Sequence, residues 1–426
     1  MIARIQRQQR GRRGHRRTAP GRIQIESVVE GTLRETPHGP VFVASSEFPL
    51  EMRQGRTGPR LRDLRRGVPK SLAFLAREES LADAVLGDFV FFDTETTGLA
   101  TTSGTYVFLA GLGYVDEGIF VVEQVFMRDY DEEPALLWLL GDRLARFPAI
   151  VTYNGRAYDL PLVRARFITN RVFDPPLPEL HLDMLHPARK LWRARGSGCR
   201  LTELEREILG VERQGDVPGH LIPGIYFDAV HHGNVASLKG VFYHNAQDIL
   251  SLAALTVAGA RLLETAEPLR DAIGEDLYSV ARFLEDSGES EALELYRKAF
   301  QWGFRDSLIE TEALCRIGRL HRRTGDREEA LQVFSRLAEG THPFRAFALI
   351  ELAKHFEHRE RRYEEAHLFA HRALEALRET GEGGPRIPAQ FRPRTQDVEH
   401  RLRRLDQRRQ GRPWRLSRSD ARGGAR

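Results

Sequence analysis

The stretch Phe89-Val90-Phe91-Phe92-Asp93-Thr94-Glu95-Thr96-Thr97-Gly98-Leu99 constrains this chain more than any other. An apolar run ends directly in a carboxylate, and a second carboxylate follows two positions later. A continuous Val/Phe run predicts a strand buried on both faces. Side chains in a strand alternate, so Asp93 and Glu95 point the same way. Two carboxylates side by side at the end of a buried strand repel each other unless a positive charge lies between them. A hard divalent cation with oxygen ligands, such as Mg²⁺, meets that need. A plain Asp-X-Glu also opens many solvated turns, so the pair alone leaves both readings open. Gly98 breaks the strand and lets a ligand come close to the backbone.

The chain has 426 residues, which suits two or three domains rather than one. At 41% hydrophobic and 29% charged residues, a soluble chain with ample core is expected. No long uninterrupted apolar span is legible, so no membrane partner is expected. The basic N-terminus lacks the apolar stretch of a secretory signal. Cys199 and Cys315 lie far apart, which fits a reducing compartment and a cytoplasmic location. The net charge is only +4, but arginine crowds residues 4–22 and 401–426. Such tails can neutralise phosphates, and they are equally what a disordered tail of biased composition looks like.

Residues 1–22 read as a disordered basic tail. Residues 23–85 read as a small segment of β-hairpin, an Arg/Gly-rich linker over 51–68 and a helix over 69–86. A domain over 86–264 follows. Its first three apolar runs, at Asp93, 106–115 and 119–126, are joined by short turns and predict an antiparallel meander. A helix over 132–147, a strand over 149–153 and a helix over 159–167 come next. Two helices over 182–209 flank Gly196-Ser197-Gly198, and a Gly/Pro-rich loop leads to a helix over 234–263. This order predicts an α/β fold, a mixed sheet with helices on its faces. Asp183 opens its segment and suits a helix cap. His181, His231 and His232 lack metal-ligand spacing and read as loop residues.

Asp248 lies in the last of these helices, with His244 one turn earlier on the same face. Alone, such a pair is an ordinary surface contact. Asp93-Thr94-Glu95, then Asn154-Gly155-Arg156-Ala157-Tyr158-Asp159, then His244-Asn245-Ala246-Gln247-Asp248 together resemble the three exonuclease motifs of the DEDD superfamily. Gly104-Thr105, Leu182-Asp183-Met184-Leu185-His186-Pro187 and Asp216-Val217-Pro218-Gly219 further resemble the YprB-like ribonuclease H-like domain proteins. The resemblance covers roughly residues 86–263 and implies a ribonuclease H-like fold. It also implies a 3′–5′ exonuclease that hydrolyses single-stranded DNA or RNA by a two-metal mechanism. Asp93, Glu95, Asp159 and Asp248 would then hold two Mg²⁺ or Mn²⁺ ions, favoured over Zn²⁺ by the all-oxygen ligand set. Thr96, Gly98 and Asn154 would line the terminal nucleotide. Superfamily members carry Tyr four residues before the last Asp or His five residues before it. Here His244 holds the tyrosine place and Tyr243 the histidine place. Helical geometry favours His244 as proton acceptor, because it lies nearly above Asp248.

Residues 270–380 are helical in pattern, and they repeat. Gly288-Glu289-Ser290-Glu291-Ala292-Leu293-Glu294-Leu295-Tyr296 echoes the stretches beginning at Gly325 and Arg361. The small and aromatic positions resemble tetratricopeptide repeats, which would present a concave surface to a protein partner. A plain helical bundle is the alternative. Residues 381–426 read as a second disordered basic tail. The rival to the nuclease is a protein that binds nucleic acid without cutting, or an adaptor acting through its repeats.

Overall fold

The computed structural model describes residues 23–98, 104–265, 273–288, 291–380 and 386–410. The expected N-terminal tail and the last part of the C-terminal one lie outside these. The chain divides into two compact units, Met1–Asp271 and Ala272–Arg426.

Among the described residues, the first unit carries the strands β1 (Thr32–Thr36), β2 (Gly39–Pro49), β3 (Val90–Thr96), β4 (Val107–Asp116), β5 (Ile119–Phe126), β6 (Ala149–Thr152) and β7 (Leu180–Asp183). They form one mixed sheet in the order β1-β2-β5-β4-β3-β6-β7. Pairing is antiparallel from β1 through to β3, and parallel from β3 through β6 to β7. The N-terminal hairpin is thus no separate segment: β2 runs along β5 from Phe42↔Phe126 to Pro49↔Ile119. The helices are α1 (Lys70–Ala76), α2 (Glu133–Leu144), α3 (Asp159–Thr169), α4 (Leu185–Trp192), α5 (Leu201–Leu204), α6 (Ile222–His232) and α7 (Leu238–Thr265).

Two cores follow from the strand alternation. Val90 and Phe92 of β3 face a core with Phe42, Phe108, Leu136 of α2, Val163 of α3 and Tyr226 of α6. Phe91 faces the other core, with Leu72 of α1 and Ile249, Leu252 and Val257 of α7. The first turns of α7 (Leu238, Val241, Phe242) belong to the former core and its later turns to the latter. Residues 244–248 lie where the helix passes between them. By length and composition Leu238–Glu264 resembles a membrane span, yet 72% of that window is buried inside the structure. Burying Ile249, Leu250, Leu252, Leu255 and Val257 stabilises by roughly 1.5–3 kcal/mol each. That sum exceeds the several kcal/mol lost in drawing one carboxylate, Asp248, away from water.

Four expectations change here. The stretch at 180–183 is a strand rather than the start of a helix. The Gly/Pro-rich loop contains α6, with Pro223 in its first turn, where the missing N–H is harmless. The 51–68 linker is folded: Leu61 and Leu64 are buried, and Gly55, at φ +72°, packs so tightly on Leu209 that a Cβ would lie 2.2 Å from its carbonyl oxygen. The helix over 69–86 ends at Ala76, because Arg77 turns left-handed and caps it.

The second unit carries α8 (Gly274–Ser287), α9 (Ala292–Trp302), α10 (Ser307–Thr324), α11 (Arg327–Glu339), α12 (Arg345–His355), α13 (Tyr363–Thr380) and α14 (Thr395–Arg409). Helices pack as consecutive pairs, α8 on α9, α10 on α11 and α12 on α13. The repeated alanines Ala292, Ala330 and Ala366 are all buried. The tail expected over 381–426 is corrected by α14. Fully buried Glu357 draws Arg401, Arg404 and Arg408 of that helix onto itself, so these arginines hold structure.

Candidate active site

At β3 the sheet changes from antiparallel pairing with β4 to parallel pairing with β6, and the C-terminal half of this strand carries the first two carboxylates. Asp93 and Glu95 leave β3 on the α7 side. Asp159 arrives from the other side, as the first residue of α3, where Thr94 Oγ1 donates to its Oδ1 at 2.5 Å. Asp248 comes from α7. The structure therefore brings the other three carboxylates, Glu95, Asp159 and Asp248, within electrostatic range of Asp93.

Their charges are costly. Burial, then Asp248, Glu95 and Asp159, push the Asp93 carboxyl well above the ordinary range, against a hydrogen bond from Asn245. Burial, then Asp248 and Asp159, do the same to Glu95, and Arg213 opposes them. Burial raises Asp159 to about 6, although Thr94 donates to it. Buried carboxylates that repel one another are a donor set for a hard cation.

Three of the four carboxylates, Asp93, Asp159 and Asp248, are also tied down. Asn245, wholly buried on α7, donates from Nδ2 to Asp93 Oδ2 at 2.9 Å, and its Oδ1 accepts from Gln124 at 2.9 Å. Gly111 stands directly opposite Asp93 in the sheet, and a Cβ there would lie 2.2 Å from Asn245 Oδ1. Its bare face is what lets the amide reach Asp93. Asp248 Oδ1 accepts from Arg213 Nη2. The Arg213 side chain is only 8% exposed and also donates to Glu205 at 2.8 Å and to Asp216 at 3.1 Å. Glu205 is in turn held by Ser251, and Ser251 by Gln54 of the supposed linker. Among the described residues, no three acidic, His or Cys side chains stand at metal-holding spacing as they are. The bonds explain this: Asp248 is turned to Arg213, Asp159 to Thr94 and Asp93 to Asn245.

His244 Nδ1 lies 2.8 Å from Asp216 Oδ1, and its Nε2 lies 3.5 Å from Asp248 Oδ2. A carboxylate cannot donate, so the bond to Asp216 needs a proton on Nδ1. Tyr243, its neighbour, turns away into a separate cavity with Lys239. The structure thus places His244, not Tyr243, beside the last aspartate.

The turn after β6 is built by Asp183. Its carboxylate accepts from the N–H groups of Asn154 (2.8 Å), Arg156 (3.1 Å) and Leu185 (3.0 Å). It does serve the start of α4, and it also fixes the whole 154–156 turn. Asn154 has φ +67°, a left-handed conformation that asparagine tolerates. His181 lies in β7, 2.8 Å from Thr152 Oγ1, which accepts from Gly155 N–H at 3.1 Å. His231 and His232 end α6 rather than lie in a loop. Thr96 Oγ1 donates to the Gly98 carbonyl at 2.7 Å. Gly98 has ordinary φ and room for a Cβ, so the fold itself does not require glycine there.

Sequence reading missed Arg213 and Glu205, and named Asn245 and Asp216 only within resembling stretches, with no role in the site. A buried asparagine in an apolar helix carries a signal of its own. Arg213, in a Gly/Pro-rich loop, carries none.

Residues 90–258 match the ribonuclease H superfamily. The chain is also similar to the Bacillus subtilis (strain 168) protein named Uncharacterized protein YprB, at 33% identity over 289 residues, or 67% of this chain and 68% of that one.

Proposed function

The chain belongs to the ribonuclease H superfamily and groups with YprB, and from that premise we propose that it is a metal-dependent nuclease, a 3′–5′ exonuclease acting on single-stranded DNA or RNA. The observation that carries this reading is the convergence of Asp93, Glu95, Asp159 and Asp248 from three distant segments onto the end of β3. Nothing in packing requires four such carboxylates to meet.

By their chemistry these four residues fit two Mg²⁺ or Mn²⁺ ions. Bound there, such ions would supply positive charge to a displacement at phosphorus. Asn245 keeps Asp93 pointed into the cluster. Thr94 does the same for Asp159. Asp216 fixes the tautomer of His244, so that Nε2 takes the proton of the attacking water. Arg213 balances the charge of Asp248 and would have to release its Oδ1 for that carboxylate to hold an ion. Thr96, Gly98 and Asn154 line the terminal nucleotide, Gly98 by offering bare backbone. The helix pairs of the second unit support a tetratricopeptide-like surface for a protein partner.

The second reading is a protein that binds nucleic acid without cutting it. The Arg213–Asp248 pair favours it, because it neutralises a ligand carboxylate without any ion.

End-labelled single-stranded DNA and RNA, incubated with Mn²⁺ or Mg²⁺, separate the two. A ladder of shortened products that disappears with EDTA and with Asp93→Asn is expected. Binding without cleavage, or cleavage untouched by Asp93→Asn, contradicts the nuclease.

A further inference from the structure

Helix α4 carries charge of one sign on its outer face. Ala188, Leu191 and Trp192 bury its inner face, and its exposed positions are His186, Arg189, Lys190 and, just past its end, Arg193. These recur at helical spacing, so they form one face about 10 Å long. Between Asp183 and Glu203 the chain has no acidic residue, and Arg195 and Arg200 add further cations. Like charges one helical turn apart, Arg189 and Arg193 among them, repel each other. The arginines of α14 relieve the same repulsion by closing on Glu357. A polyanion lying along α4 is the partner whose charge complements this face.

The face is fixed to the reacting site at both ends. At the start of α4, Asp183 holds the Leu185 N–H together with those of Asn154 and Arg156. Beyond its end, Tyr153, the residue before Asn154, donates to the Cys199 carbonyl, and Arg193 bonds the Cys199 thiol. Arg189 lies within electrostatic range of both Tyr153 and Cys199. Strands β3, β6 and β7 run parallel, so the carboxylates and the start of α4 lie at the same edge of the sheet. Arg156 is exposed in the turn between them, its guanidinium donating to the His181 carbonyl at 3.3 Å. Glu203 is also close, with its Oε2 accepting from the Arg200 N–H at 2.8 Å. We propose that the outer face of α4, with Arg156 at its head, is a phosphate track that holds a single strand of DNA or RNA where it leaves the reacting site. Cations on phosphates read no base, so this grip is independent of sequence and falls as salt rises. The inference rests on the nucleic-acid reading, and it applies to a cutting and a non-cutting protein alike.

The test uses the full chain in EDTA, so that no strand is cut, and a fluorescein-labelled single strand of DNA or of RNA. Fluorescence anisotropy gives the affinity over a series of KCl concentrations. Each phosphate contact contributes about 0.7 to the slope of log affinity against log salt for a single strand. Arg189→Gln, Lys190→Gln and Arg193→Gln together are expected to flatten that slope by about two and to weaken binding about tenfold or more at low salt. Arg189→Lys with Arg193→Lys keeps the charge and should keep the slope, which separates charge from a part in folding. Gln at Arg327, Arg336 and Arg378, exposed on the second unit, should leave the slope as it is. A wild-type slope in the α4 variant, an equal loss in the second-unit variant, or a wild type that binds no strand overturns the track. Cleavage that needs Asp93 leaves the nuclease reading standing in each of these cases.

Discussion

Asp93 shows how a single residue carries the account. Its carboxylate was legible in the sequence because residue type alone states the chemistry: an acid at the end of a buried strand needs a counter-charge. The partners that aim it were not legible. Asn245 and Arg213 act through geometry set by elements far away in sequence: the asparagine is legible only as a polar residue in an apolar helix, and Arg213, in its loop, carries no signal at all. His181 gives a test at the same scale. Burial keeps its ring neutral and pushes its pKa down to about 4. Between pH 6.5 and 4 the unfolded chain therefore binds more protons than the folded protein, and stability falls as pH drops through that window. Urea unfolding should show the wild type losing about 2 kcal/mol more than His181→Gln between pH 7 and pH 5. Parallel losses in the two proteins would show that His181 is not held neutral by the fold.

Elements were legible in proportion to their pattern. β3, β4 and β5 stood out because buried strands are continuous apolar runs bounded by turns. β7 did not, because four residues, His181 and Asp183 among them, hold too little pattern to separate from a helix start. α6 was hidden by Pro223 and Gly224, which read as loop until the proline is seen to sit in a first turn. The segment around Gln54 looked like a linker because its contacts, Gln247 and Ser251, are nearly two hundred residues away. The contact of β4 with α7 yields the prediction of this scale. A methyl group on Gly111 strikes Asn245 Oδ1, whereas one on Gly113 strikes Ile249 and Phe120 in the core. Gly111→Ala should therefore lose about a hundredfold in hydrolysis, since the amide that aims Asp93 is displaced. Gly113→Ala should mainly lower stability, by about 1–3 kcal/mol. Rates on a labelled strand together with melting temperatures distinguish them, and equal effects on rate would contradict the role given to Asn245.

For the whole molecule, charge distribution proved a poor guide. Arginine crowding near residue 401 suggested a phosphate-binding tail, yet Arg401, Arg404 and Arg408 are drawn onto buried Glu357. Only the three-dimensional position of that glutamate reveals the difference. Every residue assigned to the reaction lies in the first unit, which has its own cores. Residues 1–271 expressed alone should cut labelled strands within about threefold of the full chain. Loss of cleavage by a folded fragment would give the helical unit a part in the reaction itself. The carboxylate cluster is the centre of the proposed reaction, and anomalous diffraction from crystals soaked in Mn²⁺ tests it most directly. Manganese peaks are expected among Asp93, Glu95, Asp159 and Asp248, with Arg213 moved off Asp248, and no peaks there in Asp93→Asn crystals. A cluster free of manganese, with Arg213 still on Asp248, would contradict it.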